Sequence, residues 1–155
     1  MRVGINGFGR IGRLVVRAAL KRNEAIEFVA VNDVTDAATL AHLLTYDSIH
    51  GPWPERFAVR DGAIRVGERS IRVLSEPKPD LLPWKDLGVD VVFDVGANEG
   101  QSVDVLLKLF PSASIHAVEP GGEAFGKLQA KYARAPRVRT HRLGLGDTQG
   151  ELTLH

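Results

Sequence analysis

No cysteine occurs among the 155 residues. Disulfides, cysteine-ligated zinc, iron–sulfur clusters and thiolate chemistry are therefore excluded. No apolar run approaches the ~20 residues of a membrane-spanning helix. The amino-terminal stretch MRVGINGFGR enters a strand pattern at once and lacks the apolar core of a signal peptide. An excess of either charge is missing too: 20 Lys and Arg stand against 19 Asp and Glu, for a net charge of +1. No basic field exists to hold a nucleic acid or an anionic membrane. The expectation is a soluble, cytoplasmic chain with neither nucleic acid nor membrane as partner. Its 44% apolar and 25% charged residues are ordinary globular values, and the length suits one domain or two halves sharing one core.

What is present is one plan used twice. Residues 2–6 read as a short buried strand, followed by Gly7, Gly9 and Gly12. Ile11, Leu14, Val15, Ala18 and Ala19 then recur at helical spacing on one expected inner face, with Asn23 as the stop. Residues 28–31 form an apolar strand ending in Asn32-Asp33, and residues 36–44 a helix with Asp36 as N-cap. In the second unit, residues 89–95 are apolar except for Asp90 and Asp94 and read as a buried parallel strand. Gly96 and Gly100 follow, then a helix face of Val103, Leu106, Leu107 and Phe110, stopped by Pro111. Residues 115–118 are the next strand, ending at Glu119-Pro120. Residues 123–133 are a helix with Phe125, Leu128 and Tyr132 inward. Residues 138–145 and 151–154 read as closing strands joined by a turn at 146–150. From Gly7 to Asp33 is 26 positions, and from Gly96 to Glu119 is 23.

Between the units, residues 57–60 and 63–66 flank Asp61-Gly62, a strong hairpin signal, and residues 69–74 are a further strand. Pro77, Pro79 and Pro83 break any helix before Trp84. The fold class is α/β: a doubly wound, mostly parallel sheet of order 3-2-1-4-5-6 with helices on both faces and a β-hairpin insert near 55–74. The stop in mid-strand at Leu154-His155 is what a truncated piece would show. A bare sheet edge implies a monomer or an edge-mediated homodimer.

Gly7-Phe8-Gly9-Arg10-Ile11-Gly12 fits G-x-G-x-x-G after a strand and at the start of a helix. Gly7 makes the tight turn, Gly9 admits a pyrophosphate to the backbone, and Gly12 lets helix and strand pack closely. The helix N-terminus offers free N–H groups to phosphate. Asp33 suits the ribose hydroxyls of adenosine and repels a 2′-phosphate, which favours NAD over NADP. RVGINGFGRIGR, VND, LAHLLTYDSIHG and PW-x-x-LGVDVV resemble the glyceraldehyde-3-phosphate dehydrogenases over about residues 1–92. The resemblance implies that Arg10 and Ile11 meet the pyrophosphate through their backbone and that Asp33 holds the adenine ribose. That family often has an arginine where Pro77 or Lys78 stands.

Past Val92 the chain reads FDVGANEGQSVDVLLKLFPSASIHAVEPGGEAFGKL and then LGDTQGELTLH. This resembles the FkbM-type S-adenosylmethionine-dependent methyltransferases over about residues 93–155, through Asp94-x-Gly96-Ala97-Asn98-x-Gly100, Glu119-Pro120 and Gly146-Asp147. The resemblance implies that the turn from Gly96 to Gly100 lies against the methionine part of the cofactor, that Glu119 binds its ribose and that Asp147 reaches towards the adenine. Asp94 could meet the ligand's ammonium group, or Asp94 and Glu119 could serve as caps. The candidate cofactor-binding set is thus Asn6, Gly7, Phe8, Gly9, Arg10, Ile11, Gly12 and Asp33, with Asp94, Gly96, Asn98, Gly100, Glu119 and Asp147.

The two resemblances meet inside residues 89–95, a strand that both patterns share. The expectation is a recombined, deliberately made chimera forming one domain over residues 1–155. The dehydrogenase resemblance implies a catalytic cysteine and histidine from a second domain, and the chain has no cysteine. His42, His50, His116, His141 and His155 read as structural or exposed. No catalytic triad, metal cluster or phosphate-transfer motif is present. Three readings stand: a module that binds NAD or S-adenosylmethionine without turnover, a purely structural chimera, and a weak enzyme.

Overall fold

Short runs rich in Val, Ile and Phe become the inner strands, because such side chains fit a pleated surface covered on both faces. The computed structural model describes residues 1–22 and 24–143. The first unit runs β1 (Arg2–Asn6), α1 (Arg10–Lys21), β2 (Glu27–Asn32) and α2 (Ala37–Thr45). Then come β3 (Tyr46–Asp47), β4 (Gly51–Pro52), β5 (Ala58–Arg60), β6 (Ala63–Val66) and β7 (Arg69–Leu74). A 3₁₀ turn at Pro79–Leu81 leads to β8 (Val91–Val95), α3 (Gln101–Leu109), β9 (Ser114–Val118), α4 (Gly122–Tyr132) and β10 (Val138–His141).

Eight strands form one sheet in the order β10-β9-β8-β1-β2-β7-β6-β5. Counting β7 as the third strand, its parallel part has the expected 3-2-1-4-5-6 order. Strands β6 and β5 extend it antiparallel at one edge. Asp61 (φ 53°) and Gly62 (φ 71°) make the tip between them. Two consecutive positive φ values match the right-handed twist of the flanking strands.

The core lies on both faces. On one, Val3 and Ile5 of β1 pack with Val16 and Ala19 of α1 and with Leu40 and Leu44 of α2. On the other, Val92 of β8 and Ile115 of β9 pack with Leu106 of α3, Leu128 of α4 and Trp84. Strand alternation sends Val91, Phe93 and Val95 back to the first cluster. Asp36 caps α2 as expected, accepting from Thr39 N at 2.9 Å. Arg137 lies just before β10 and donates from Nη1 to Phe110 O (2.9 Å) and Ala113 O (3.2 Å), at the end of α3.

Three expectations need correction. The buried residues of α1 are Gly12, Val16, Arg17 and Ala19; Ala18 is exposed, and Leu14 and Val15 are only partly covered. Arg10, Arg13, Arg17 and Lys21 share one stripe of this helix, so the period marks a broad apolar face, and the docked sheet decides which part of it is covered. The antiparallel pair β3–β4 was not expected, because two-residue strands carry no period. Strand β10 ends at His141 rather than at residue 145. The Asn23 stop, the turn at 146–150 with Asp147, and the strand at 151–154 lie outside the described residues.

Replacing Arg137 with Met leaves carbonyls at the end of α3 without their charged donor. The expected cost is about 1–2 kcal/mol, read as a lower midpoint of urea unfolding with an unchanged slope.

Candidate functional site

Strand β1 delivers its last residue to the point where the crossovers run in opposite directions, with β2 on one side and β8 on the other. In open α/β sheets this is where a ligand crevice forms. The chain turns at Gly7 (φ +87°), whose N–H donates to Asn32 O at 3.0 Å. A Cβ there would lie 2.7 Å from Val95 O, so no other residue fits. A Cβ on Gly12 would lie 2.5 Å from Gly7 O. This is the close helix–strand packing expected of that glycine.

Gly9 differs from both. It is the N-cap of α1, with no side-chain cap and no acidic residue in the first turn. A Cβ on it would meet nothing within 4 Å. The amides that open α1, at Arg10 and Ile11, therefore carry the helix's partial positive charge with no side-chain cap to offset it. The Phe8 ring is fully buried, so this residue serves the turn through its backbone. Its N–H donates to Asp33 Oδ2 at 3.0 Å, while Thr35 N donates to Oδ1 at 2.9 Å. Each carboxylate oxygen keeps a further lone pair for a hydroxyl donor. Arg13 was not among the expected site residues. It donates from Nη1 to Phe8 O at 3.1 Å and so lies beside the same turn. Burial pushes its guanidinium below its usual value, with Asp47 pulling it back up. Its place directly after Gly12 was the only signal available.

A polar seam joins the strands behind this turn. Asn6 accepts from Asn32 Nδ2 at 2.9 Å and donates to Asp94 Oδ1 at 3.1 Å. Asn32 continues the seam to the backbone of Glu76 in both directions. Ser102 donates to Asp94 Oδ2 at 2.5 Å. Asp94 is 2% exposed. The fold thus points it inward from β8, with both oxygens engaged, rather than towards a ligand ammonium group. Asn6 is likewise taken up by its neighbours.

The second turn repeats three bonds of the first, with one more residue between its glycine and the amide that meets the acid, and with Ala97 N as an added donor to Val118 O. Gly96 N donates to Val118 O, the last carbonyl of β9, as Gly7 N does to the last carbonyl of β2. Asn98 N donates to Glu119 Oε2 at 2.9 Å, as Phe8 N does to Asp33. Gly121 N donates to the other oxygen of Glu119 at 2.7 Å. A Cβ on Gly96 would meet nothing within 4 Å. Gly100 has an internal reason instead: its Cβ would fall 2.5 Å from Cε2 of Tyr132. The Tyr132 hydroxyl sits 2.7 Å from Gly100 O and 2.6 Å from Asp104 Oδ1, which ties α4 to this turn. Burial and Asp104 push that phenol up.

The described histidines fall outside both turns. His116 Nδ1 and His141 Nε2 are 3.1 Å apart on adjacent strands, and His50 Nδ1 is 3.0 Å from Asp47 Oδ1. Among the described residues no group of three or more His, Asp or Glu could hold a metal. No described helix is long and apolar enough to cross a membrane.

Comparison with known proteins bears on the first unit. Residues 1–99 match the family described as glyceraldehyde 3-phosphate dehydrogenase, NAD binding domain. Glyceraldehyde-3-phosphate dehydrogenase 1 of Streptomyces arenae is 60% identical over 94 residues, which is 61% of this chain and 28% of that protein. The Thermotoga maritima enzyme is 54% identical over 94 residues, 60% of this chain and 28% of its own length. Glyceraldehyde-3-phosphate dehydrogenase 1 of Bacillus cereus is 52% identical over 93 residues, again 60% and 28%. The chain thus spans little more than a quarter of the length of these relatives. The family match continues past the seam expected at residue 92, through β8 and into the second glycine turn.

The buried seam sets a pH dependence. Burial pushes the Asp94 carboxyl above its ordinary value of 3.8, partly offset by the donors Ser102 and Asn6. Such an acid holds its proton more tightly folded than unfolded, so stability falls as pH rises from about 4 through the folded value. Asp94→Asn can still accept from Asn6 and donate to Ser102. It is expected to unfold at a higher denaturant concentration than the parent at pH 7, with the gap closing as the pH falls towards 4.

Proposed function

The chain belongs to the glyceraldehyde 3-phosphate dehydrogenase NAD-binding-domain family, and from that premise we propose that its first glycine turn binds NAD without turnover. The observation that carries this reading is the meeting of Asp33 with the turn: its carboxylate lies on Phe8 N, beside a helix N-terminus with no side-chain cap, where a Cβ on Gly9 would meet nothing within 4 Å. Pyrophosphate at the amides of Arg10 and Ile11 would meet the positive end of α1. Asp33 would take the ribose diol, and its charge disfavours the 2′-phosphate of NADP. NAD supplies a hydride-accepting ring when bound; this chain's residues bind and orient it.

Two glycines separate binding from folding. Gly9→Ala adds a methyl to open space and is expected to leave the melting temperature near the parent's while weakening NAD at least tenfold by calorimetry. Gly12→Ala forces a methyl onto Gly7 O and is expected to lower the melting temperature itself. NAD at about 100 times its dissociation constant should raise the parent's midpoint by about 5–10 °C. No shift with NAD, or a Gly9→Ala variant that binds as the parent does, would overturn the assignment.

A second reading concerns the other turn. The repeated hydrogen bonds of Asn98 and Glu119, and the open space at Gly96, favour a second nucleoside there. S-adenosylmethionine is the ligand that the resemblance of residues 93–155 suggests, in a chain that joins two half-domains. Because Gly7 touches Val95 across β1 and β8, the two ligands would crowd one crevice. The expected result is a melting shift with S-adenosylmethionine that added NAD reduces. Full and independent binding of both would reject the shared crevice.

A further inference from the structure

The polar chain behind the first turn has a fixed direction, and the backbone of Glu76 sets it. Glu76 N donates to Asn32 Oδ1 at 2.9 Å, and Asn32 Nδ2 donates to Glu76 O at 3.0 Å. The other N–H of Asn32 goes to Asn6 Oδ1, which leaves the Asn6 amide nitrogen facing Asp94 Oδ1. Asp94 Oδ1 must therefore accept, whatever charge the carboxyl carries. A proton on Asp94 has one place left, Oδ2, where the partner is the Ser102 hydroxyl. A hydroxyl both donates and accepts, so Ser102 can donate to the carboxylate or accept from the acid. The chain thus has two complete hydrogen-bonded arrangements that differ by one proton.

Charge decides between them. Asp94 is buried, and the elements packed on it present neutral groups: Asn6 from β1, Ala117 from β9, Ser102 from α3 and Tyr132 from α4. Beyond Tyr132, Asp104 is already bonded to Lys131. Among the described residues no cation offsets the charge of Asp94. An anion brought close therefore favours the acid. Asn6 leads directly into Gly7, and the carbonyl of Val95, next to Asp94, lies against Gly7. Asp94 thus stands immediately behind the turn.

We infer that Asp94 is a positioning residue of the first turn, and that it takes up one proton at Oδ2 when an anionic pyrophosphate binds there. The inference rests on the nucleotide reading of that turn. The proton comes from solvent, an O–H bond forms at Oδ2, and the Ser102 hydroxyl turns from donor to acceptor; no bond of the cofactor changes. Asn6 keeps its two hydrogen bonds in both arrangements, so the turn holds its shape while the charge behind it disappears. By linkage, NAD binds most tightly where Asp94 already holds its proton. Its affinity falls as pH rises from the carboxyl's value in the free chain through its higher value in the complex.

The test is calorimetric titration of the whole chain with NAD from about pH 4.5 to 8, in paired buffers of different ionisation enthalpy. The parent is expected to take up protons on binding, and to lose at least about fivefold in affinity across that range. Asp94→Asn, which keeps an acceptor for Asn6 and a donor for Ser102, should show a flat profile without that uptake. Ser102→Ala removes the donor that favours the carboxylate, so its fall in affinity should move to higher pH. A merely structural Asp94 would not produce these pH shifts. Equal proton uptake and equal pH profiles in the parent and Asp94→Asn would overturn the inference and leave NAD binding in place. A fall that Ser102→Ala moves to lower pH would overturn it too. No NAD binding at any pH, in a parent that still melts cooperatively, would reject the nucleotide reading and this inference with it.

Discussion

Strand β1 is hydrogen-bonded on both sides, to β2 and to β8, and it alone joins the two crossover units into one sheet. The crossovers leave it in opposite directions, which puts its carboxyl end at the switch point where open α/β sheets take ligands. Its pairing also brings the two glycine turns together. With β8 in register, Val95 O comes so close to the chain leaving β1 that only a glycine fits at position 7. The first glycine turn is therefore shaped by the neighbouring unit as much as by its own.

The polar seam at the same end fixes the register further. Asn6 stands opposite Asn32 on one side and Asp94 on the other, and its amide bonds to both. A slip of one residue would turn these groups into the opposite core cluster and leave buried donors and acceptors unmatched. The seam is costly for its one charge, since burial pushes Asp94 up. The gain is specificity of pairing at the strand junction. Asp33 and Glu119, by contrast, stay at the ends of their strands and hold the amides of the turns.

Much of this was legible in the residues themselves. The glycine turns, the Asp61-Gly62 hairpin, the Asp36 cap and the order of the parallel strands all follow from local chemistry and the handedness of crossovers. The inner face of α1 was legible only in part. Leu14 and Val15 are as apolar as Val16 and Ala19, and only the docked sheet distinguishes them. Arg17 inverts the simple rule outright, because its guanidinium is covered by Trp53 from a segment 36 positions away. Gly100 fits a ligand-facing turn in sequence, yet its neighbour is Tyr132 of α4.

The sequence by itself determined the two strand–glycine–helix–strand–acid units. Backbone freedom, helix termini and strand period are properties of neighbouring residues, and they act before the chain is folded. Only the tertiary structure decided which polar side chains remain available. Asn6 and Asp94 turn to each other, Asp33 and Glu119 lie on the turns, and Arg17 is sealed beneath Trp53 without an anion. Those outcomes depend on which strand pairs with which and on what covers each helix flank. Both are settled by packing between segments far apart in the chain, where no local pattern reaches.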